Sequence, residues 1–546
     1  MGTALLSKNE IFRLPYGMTG FARMRRQNKI YVDKTELLYG IAGGDATYFL
    51  SRPKRFGKSL LVSTLESLFS RGLEDFRGLA IEKLWQEGST YKVVHLDFSL
   101  YADMSVEELK LYLCRDLANL LSEYKTVSVV NEFGQPLLPG ALLNEICTGG
   151  TVADASLVLL VDEYDAPITH HLDDPVARDS ILKVISGFFA AVKKCQPCFR
   201  FIFITGMTRI SHVSLFSVFN NLKELTLDSE YNTLVGFTEE ELHCYFNPYV
   251  ENAASVLDMT VDDVYSRLKT RYDGYRFTLG AGGQTLYSPW SVLSFLDSPH
   301  LGFANYWYQS GGGTPQLLID HLKHSAVKLD YSAMKHDPPT VSKENINSKS
   351  EAVKIPIDLL LWQTGYYTLQ HRTSVRAALV FPNEEVEDSM TRLIEDINQL
   401  GLEENTESLL DDLPSLIDAQ DLETIEDLFN RVFRECLSSD SRVFNYEPDI
   451  RNIIYMKIPE QGLTKLRENT NSEGESDLEL KTRKTHLVIE FKRTYAGRSS
   501  ESALAEGINQ IKTRDYGKDT SKLVLVRVVM VCSTQEHKIV LTKRVD

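Results

Sequence analysis

Two groups of residues have the types and spacing to do chemistry. The first opens with "SRPKRFGKS" (51–59) and closes with "LVLLVDEYD" (157–165). A glycine, a lysine and a hydroxyl in succession end a phosphate-binding loop. Backbone N–H groups and a helix start hold phosphate oxygens, the lysine reaches the β- and γ-phosphates, and the hydroxyl serves Mg2+. Gly57, Lys58 and Ser59 fill those places, with Phe56 and Leu60 on either side. Arg52 stands where such a loop has its first glycine, Pro53 stiffens the turn, and Arg55 adds charge beside the phosphates. Asp162 and Glu163 end an apolar run, so the first acid can hold Mg2+ and the second can orient or deprotonate a water. The run "FIFITGMTRIS" (201–211) carries Thr205 and Arg209, placed to sense the γ-phosphate or, for Arg209, to act on it in cis. Asp33 and Lys34 either frame the nucleotide or form a structural salt bridge.

The second group is "EGESDLELK" (473–481) with "THLVIEFKRT" (485–494). Strand alternation sends Leu487, Ile489 and Phe491 to one face and Val488, Glu490 and Lys492 to the other. Asp477 lies 13 residues before Glu490, on the preceding strand of a hairpin. If the strands pair, Asp477 and Glu490 can share Mg2+ at a scissile phosphate while Lys492 orients the attacking water or holds the phosphate. Glu447 opens an upstream helix and supplies a further carboxylate. Gln510 and Tyr516 follow on the next helix. A cross-strand salt bridge is the ordinary alternative for such an acid–lysine set.

These side chains need strands that end in loops. "TYFLS" (47–51), "YKVVHLDFS" (91–99), "SLVLLVDEY" (156–164) and "FRFIFITGM" (199–207) are apolar enough to be buried on both faces of a parallel sheet. Helical patterns between them make the first 235 residues an α/β domain. "SLLVSTLESLF" supplies the helix behind the loop, with Leu60, Leu61, Leu65 and Leu68 at helical spacing. Residues 236–380 read as mainly helical, with aromatic turns "YDGYRF", "YSPWSVL", "ANYWYQSGG" and "WQTGYYTL", whose default role is packing. The segment 332–351 reads as a polar loop. Residues 381–546 form the third region, a C-terminal α/β domain.

Charge divides the C-terminal region. Residues 381–440 hold 18 acids and 3 bases, read as a solvated helical face. Residues 481–546 hold 14 Lys/Arg against 7 Asp/Glu, a local +7 that suits a phosphate backbone. The whole chain carries −16. No apolar run reaches the roughly 20 residues that span a bilayer, and "MGTALLSKNEIFRLP" lacks the build of a signal peptide. Seven scattered cysteines suit reduced thiols in the cytoplasm. Cys195 and Cys198 form a CxxC without a second pair, so they read as ordinary thiols.

The motifs "YVDKT" (31–35), "SRPKRFGKSLLVSTL", "LVLLVDEYDAPI" and "FITGMTRIS" resemble the AAA-ATPase-like domain, a relative of the STAND-type P-loop NTPases. "YDGYRF", "YSPWSVL" and "WQTGYYTL" extend the resemblance to about residue 385. Arg52 is a trait of that family's loop. The C-terminal group resembles the PD-(D/E)XK nuclease superfamily, with Asp477, Glu490 and Lys492 at its acid and E-x-K positions. Gln510 and Tyr516 match its Gln-to-Tyr helix motif, and Glu447 stands at its helix-borne acid. Glu475 and Ser476 depart from the small or basic residues usual before the aspartate. The resemblance implies ATP and Mg2+ as cofactors and nucleic acid, DNA ahead of RNA, as partner. Such ATPases often assemble, so a homo-oligomer is a further expectation. Two alternatives stay open: an ATP-driven switch whose nuclease-like domain only binds, and an ATPase acting on protein.

Overall fold

A computed structural model of the chain describes residues 13–209, 221–309, 331–346, 356–398, 404–437, 443–458, 462–517 and 523–545, without 150, 173, 281, 472 and 473, and the single positions 219, 318, 322 and 329. The stretch weighed as a signal peptide lies largely outside these residues, as does the end of "ANYWYQSGG". The chain forms two compact units, 1–326 with 338–389, and 327–337 with 390–546.

In the first unit the apolar runs form a parallel sheet. β1 (Thr47–Ser51), β2 (Lys92–Asp97), β3 (Leu157–Asp162), β4 (Phe199–Gly206) and β5 (Leu222–Glu224) stand in the order β2-β3-β4-β1-β5. All of β1 and β3 is buried, as strands covered on both faces require. β5 is three residues long and polar, too short for the sequence pattern to show; its pairing to β1 secures it. Because the strands run in parallel, Ser51, Asp162 and Gly206 end at one edge, where open α/β sheets collect ligands.

Helix α1 (Lys58–Arg71) starts directly after the loop and buries Leu61, Val62, Leu65, Leu68 and Phe69. Each such side chain contributes about 1.5–3 kcal/mol by burial. Crossovers are completed by α2 (Val106–Leu120), closed by a Ser105–Glu108 capping box, α3 (Pro139–Thr148) and α4 (Pro175–Lys194).

The region 236–380 falls in the same compact unit except for 327–337, which belong to the second. Helices α5 (Glu239–Leu257), α6 (Val261–Tyr272) and α7 (Pro289–Asp297) share a core that includes Leu242, Phe246, Leu268 and Phe295. α8 (Ile357–Thr364) follows. The region is not purely helical: β6 (Thr340–Ser342), β7 (Thr368–Thr373) and β8 (Arg376–Val380) form an antiparallel sheet in the order β6-β8-β7. The polar-loop reading of 332–351 is therefore corrected where the residues are described. Helix Tyr331–His336, β6 and helix Lys343–Ile346 occupy it. Elements this short have no measurable period, and β6 exists because β8 pairs with it.

In the second unit, α9 (Leu422–Cys436) and α10 (Glu447–Lys457) precede a five-stranded sheet. Its strands are β9 (Thr464–Asn471), β10 (Gly474–Lys481), β11 (Thr485–Thr494), β12 (Val524–Ser533) and β13 (Lys538–Val545), in the order β13-β12-β11-β10-β9. β11 and β12 are parallel, joined across α11 (Ser500–Arg514), and the other pairs are antiparallel. Leu487, Ile489 and Phe491 enter the larger core with α9 and α10, while Val488 joins Ala503, Ile511 and Tyr516 on the other face. The alternation read from β11 is the one observed. Acids of α9 lie opposite its apolar stripe, whose Ile425, Phe429 and Val432 are fully buried. At the head of the 381–440 run, however, Glu384, Glu385 and Asp388 are buried, so the solvated-face reading is corrected there: Asp388 pairs with Arg271, and Glu385 accepts from Ser291 and Trp307 N.

Candidate functional site

Gly57 turns the chain from loop to helix with φ 97°, a conformation glycine adopts without the penalty of a Cβ. No atom lies within 4 Å of where its Cβ would stand. The first N–H groups of α1 have no intrahelical acceptor, and they open on a cavity of about 400 Å³ lined by Arg55, Phe56, Gly57, Lys58, Ser59 and Glu163 among others. The lining also includes the apolar residues Met18, Ile30, Val32, Val235, Phe237 and Trp290. Sequence reasoning missed this apolar lining, because its residues come from four separate stretches with no shared motif.

Lys58 is buried and donates to the carbonyls of Arg52 (3.0 Å) and Pro53 (3.0 Å). Burial lowers its pKa, opposed by Glu163, Asp162 and Asp165. Burial pushes the Asp162 carboxyl up, and the nearby Ser59 hydroxyl and Lys58 ammonium pull it back. Thr205 donates to Asp162 Oδ1 at 3.4 Å, so it braces the acid. Glu163 holds a left-handed backbone at φ 47°, as Arg55 does at φ 69°. Non-glycine residues in that region cost roughly 1–3 kcal/mol and gather at functional sites.

Two expected phosphate contacts do not reach the cavity. Arg52 is 1% exposed. Its guanidinium donates to the carbonyls of Ser51 (2.9 Å) and Thr226 (2.8 Å) and lies over Phe277. Arg209 is tied to Glu224 at 2.5 Å and to the Ile346 carbonyl at 3.1 Å, so it is not aimed at a γ-phosphate. In both cases a carboxylate or carbonyl on a neighbouring element captures the cation, which a linear motif cannot reveal. Of the open pair upstream, Asp33 caps Thr35 and Ala80. Lys34 pairs with Glu241 at 2.6 Å while still lining the cavity.

The aromatic turns have a defined purpose: they grip the loop. Phe277 underlies Arg52, Tyr275 meets Phe56 edge-on at 4.7 Å, and Trp290 carries the Arg55 guanidinium at 4.4 Å. Gly365, at φ 93°, leaves room for Pro53: a Cβ there would stand 2.8 Å from it. Asp165, unassigned in the sequence reading, accepts from Met207 N and from Thr208 N and Oγ1, joining the ends of β3 and β4.

In the second unit the hairpin register brings Asp477 opposite Glu490, one step beyond the Leu478–Ile489 pair. Asp477 Oδ2 accepts from Phe491 N at 2.7 Å, and Arg451 Nη1 stands 3.6 Å from Oδ1. Glu490 is 1% exposed. Its Oε1 meets Lys492 Nζ at 2.7 Å, and its Oε2 is buried with no hydrogen-bond partner. Burial first, then Asp477, raises the Glu490 pKa; burial likewise raises that of Asp477 against Arg451 and Lys492. Lys492 is pulled down by burial, but Glu490 and Glu447 outweigh this and leave it raised. Glu447 Oε2 lies 3.5 Å from Lys492 Nζ, and its Oε1 accepts from Arg493 N at 3.1 Å.

Gln510 Nε2 donates to the Tyr516 hydroxyl at 3.1 Å, and Arg514 adds a bond at 3.0 Å. Gly507 lets α11 approach the strand: a Cβ there would stand 2.6 Å from Val529 Cγ1 and 3.1 Å from Lys492 Cγ. Arg451 and Arg514 were missed. Arg451 was findable, since it follows Glu447 at i+4 on one helix face. Ser476 bonds Glu479 at 2.7 Å, inside a buried Glu479–His486 pair; the side chain of Glu475 lies outside the described residues. Among the described residues no group of three or more His, Cys, Asp or Glu is arranged to hold a metal ion. The CxxC gains a neighbour, since Cys198 Sγ donates to the Cys147 carbonyl at 3.9 Å, and Cys147, Cys195 and Cys198 are all buried. No described helix is long and apolar enough to cross a membrane.

Two stretches of the chain match known families. Residues 15–216 match the model of a predicted AAA-ATPase, and residues 445–541 match that of the PD-(D/E)XK nuclease superfamily. An uncharacterized protein in the vnfD 5′ region of Azotobacter chroococcum mcd 1 is 26% identical over 521 residues, spanning 92% of this chain and 93% of that protein. The chain therefore joins an AAA-ATPase-like domain to a C-terminal domain of the PD-(D/E)XK nuclease superfamily.

Proposed function

We propose that the N-terminal unit binds and hydrolyses ATP with Mg2+, and that this governs Mg2+-dependent cleavage of DNA by the C-terminal unit. The observation that carries the reading is a cavity lined by Lys58, Ser59 and Glu163 together with apolar residues, with the Asp162 carboxylate buried next to Lys58 behind it. The residues fit the nucleotide: the N–H groups of Lys58 and Ser59 face phosphate oxygens, and the wall around Trp290 takes the base. Lys58 leaves the Arg52 and Pro53 carbonyls for the β- and γ-phosphates. Ser59 and Asp162 hold the metal, and Glu163 takes the proton of the attacking water.

In the C-terminal unit the unpartnered Glu490 Oε2 beside Asp477 suits a divalent cation. Such an ion supplies charge neutralisation at the scissile phosphate and a more acidic water. Lys492, steadied by Glu490 and Glu447, positions that water or the phosphate. Nucleotide-dependent nicking of circular DNA by the full chain, lost in Lys58→Ala and in Glu490→Gln, is the expected result. Intact linear, circular and single-stranded substrates at all Mg2+ and ATP concentrations would overturn the nuclease half.

A second reading rests on the lack of a three-ligand group among the described residues. In it the nuclease-like unit only binds nucleic acid, and ATP switches that binding. It predicts nucleotide-dependent DNA affinity that Glu490→Gln leaves unchanged.

A further inference from the structure

The nucleotide cavity has a neighbour in the first unit. A second cavity, of about 420 Å³, is lined by Arg13, Arg25, Lys29, Asp33 and Cys244 among others. Its volume is that of a small-molecule site. Ile30 and Tyr31 line both cavities, but the phosphate loop 52–59 contributes nothing to the lining of the second.

Its guanidiniums are fixed by main chain. Arg13 Nε donates to the Asn28 carbonyl at 3.4 Å. Arg25 Nε donates to the Asp75 carbonyl at 3.1 Å, and its Nη2 to the Arg77 carbonyl at 2.6 Å. Lys29 Nζ donates to the Leu14 carbonyl at 3.3 Å. Carbonyls orient a cation without neutralising it. Among the described residues no carboxylate pairs with Arg13 or Arg25, although the chain holds 75 acids against 59 bases. Asp33 lines the same cavity, but one of its oxygens accepts from Thr35 N and the other from Ala80 N.

The cavity therefore carries three cations and one acid, and that acid is engaged elsewhere. Arg25 and Lys29 are partly buried, where a cation without a counter-charge costs more than in open water. A phosphate group answers this arrangement, because a guanidinium grips two of its oxygens with parallel N–H···O bonds. The donors for such bonds are present: among the described residues both Nη groups of Arg13 and Nη1 of Arg25 make no hydrogen bond.

We propose that this cavity is a second anion site, where Arg13, Arg25 and Lys29 bind a phosphate-bearing small molecule beside, and separately from, the nucleotide at the phosphate loop. The proposal does not depend on ATP hydrolysis or on the nuclease reading.

Cys244 provides the test. It lines the cavity and is exposed, whereas the other six cysteines are buried. The full chain is treated with iodoacetamide, a neutral reagent, and alkylation of Cys244 is followed by mass spectrometry. Inorganic phosphate and adenosine monophosphate are the probes, with sodium acetate at matched ionic strength as the control. The expected result is slower alkylation with millimolar probe, to the same extent in the parent and in Lys58→Ala. Arg13→Ala and Arg25→Ala should each raise the half-protecting concentration by about tenfold or more. Stronger protection by adenosine monophosphate assigns a phosphate ester, and stronger protection by inorganic phosphate assigns the free ion. Arg13 is exposed and makes one carbonyl bond, so its variant serves even if Arg25→Ala misfolds. Protection by neither probe, equal protection by acetate, or full protection in Arg13→Ala overturns the site. Loss of protection in Lys58→Ala also overturns it, since the phosphate loop would then be what the probe fills. Failure of ATP to bind the parent in calorimetry would break the nucleotide reading and leave this site standing.

Discussion

The phosphate loop and the carboxylate strand hold their charges differently. In the loop, Lys58 rests on two carbonyls, Asp162 accepts from Glu163 N and Thr205, and Arg52 is folded under the turn onto Phe277. On β11, Glu490 spends one oxygen on Lys492 and keeps the other buried without a partner. A ligand at the loop must displace bonds that already exist, whereas a cation at Glu490 would satisfy an atom that lacks one. A second glutamate makes the point sharper. Glu385 is fully buried, and its oxygens accept from Trp307 N and Ser291 Oγ. Burial pushes it up to about 7. Its oxygens are satisfied, so its raised pKa marks a structural acid, while the orphaned oxygen of Glu490 marks a site.

The largest effect expected from breaking this contrast is at Glu490. Glu490→Gln keeps the shape but halves the charge that Asp477 and Glu490 present, and cleavage in single-turnover assays should fall by about 10³-fold. Gly274→Ala attacks the loop from behind. Gly274 sits at φ 100°, where a Cβ would overlap the Pro382 carbonyl oxygen. The variant should lose about 3 kcal/mol or more of first-unit stability in denaturant melts, and nucleotide affinity should fall with it because Tyr275 and Phe277 follow directly.

Lys58→Ala removes the cation from the loop. ATP affinity by calorimetry should drop by about 100-fold, or ~2.7 kcal/mol. Unchanged affinity would show that the loop's existing bonds, and not phosphate, are what the lysine serves. The last and most gradual effect is a pH dependence. The folded-state pKa of Glu385 is raised above its unfolded value of 4.5, so its stability contribution is complete below about pH 4.5 and is lost as pH rises through about 7. Up to about 3 kcal/mol is involved. Thermal melts should show the first unit losing stability between pH 5 and 8, with Glu385→Gln flattening that slope.

Much of this was legible in the chain. β1, β3 and β4 are apolar runs, Gly57-Lys58-Ser59 stands at a strand-to-helix junction, and alternation assigned both faces of β11 correctly. These follow from local chemistry, because burial on two faces demands continuous apolar residues and pleating sorts a strand by twos. The short strands β5 and β6 were not legible, since three residues carry no period and only a neighbour's ladder makes them strands.

What the sequence determined by itself is therefore the inventory: two acid–lysine sets on strand ends, and a chain divided between an acidic helical stretch and a basic tail. Tertiary structure alone decided which charges remain for ligands. Arg52 and Arg209 look like phosphate contacts in one dimension, yet Thr226, Phe277 and Glu224, distant in the chain, take them. A buried cation must find a partner wherever the fold supplies one, and which partner comes within 3 Å is a property of packing that no local spacing encodes.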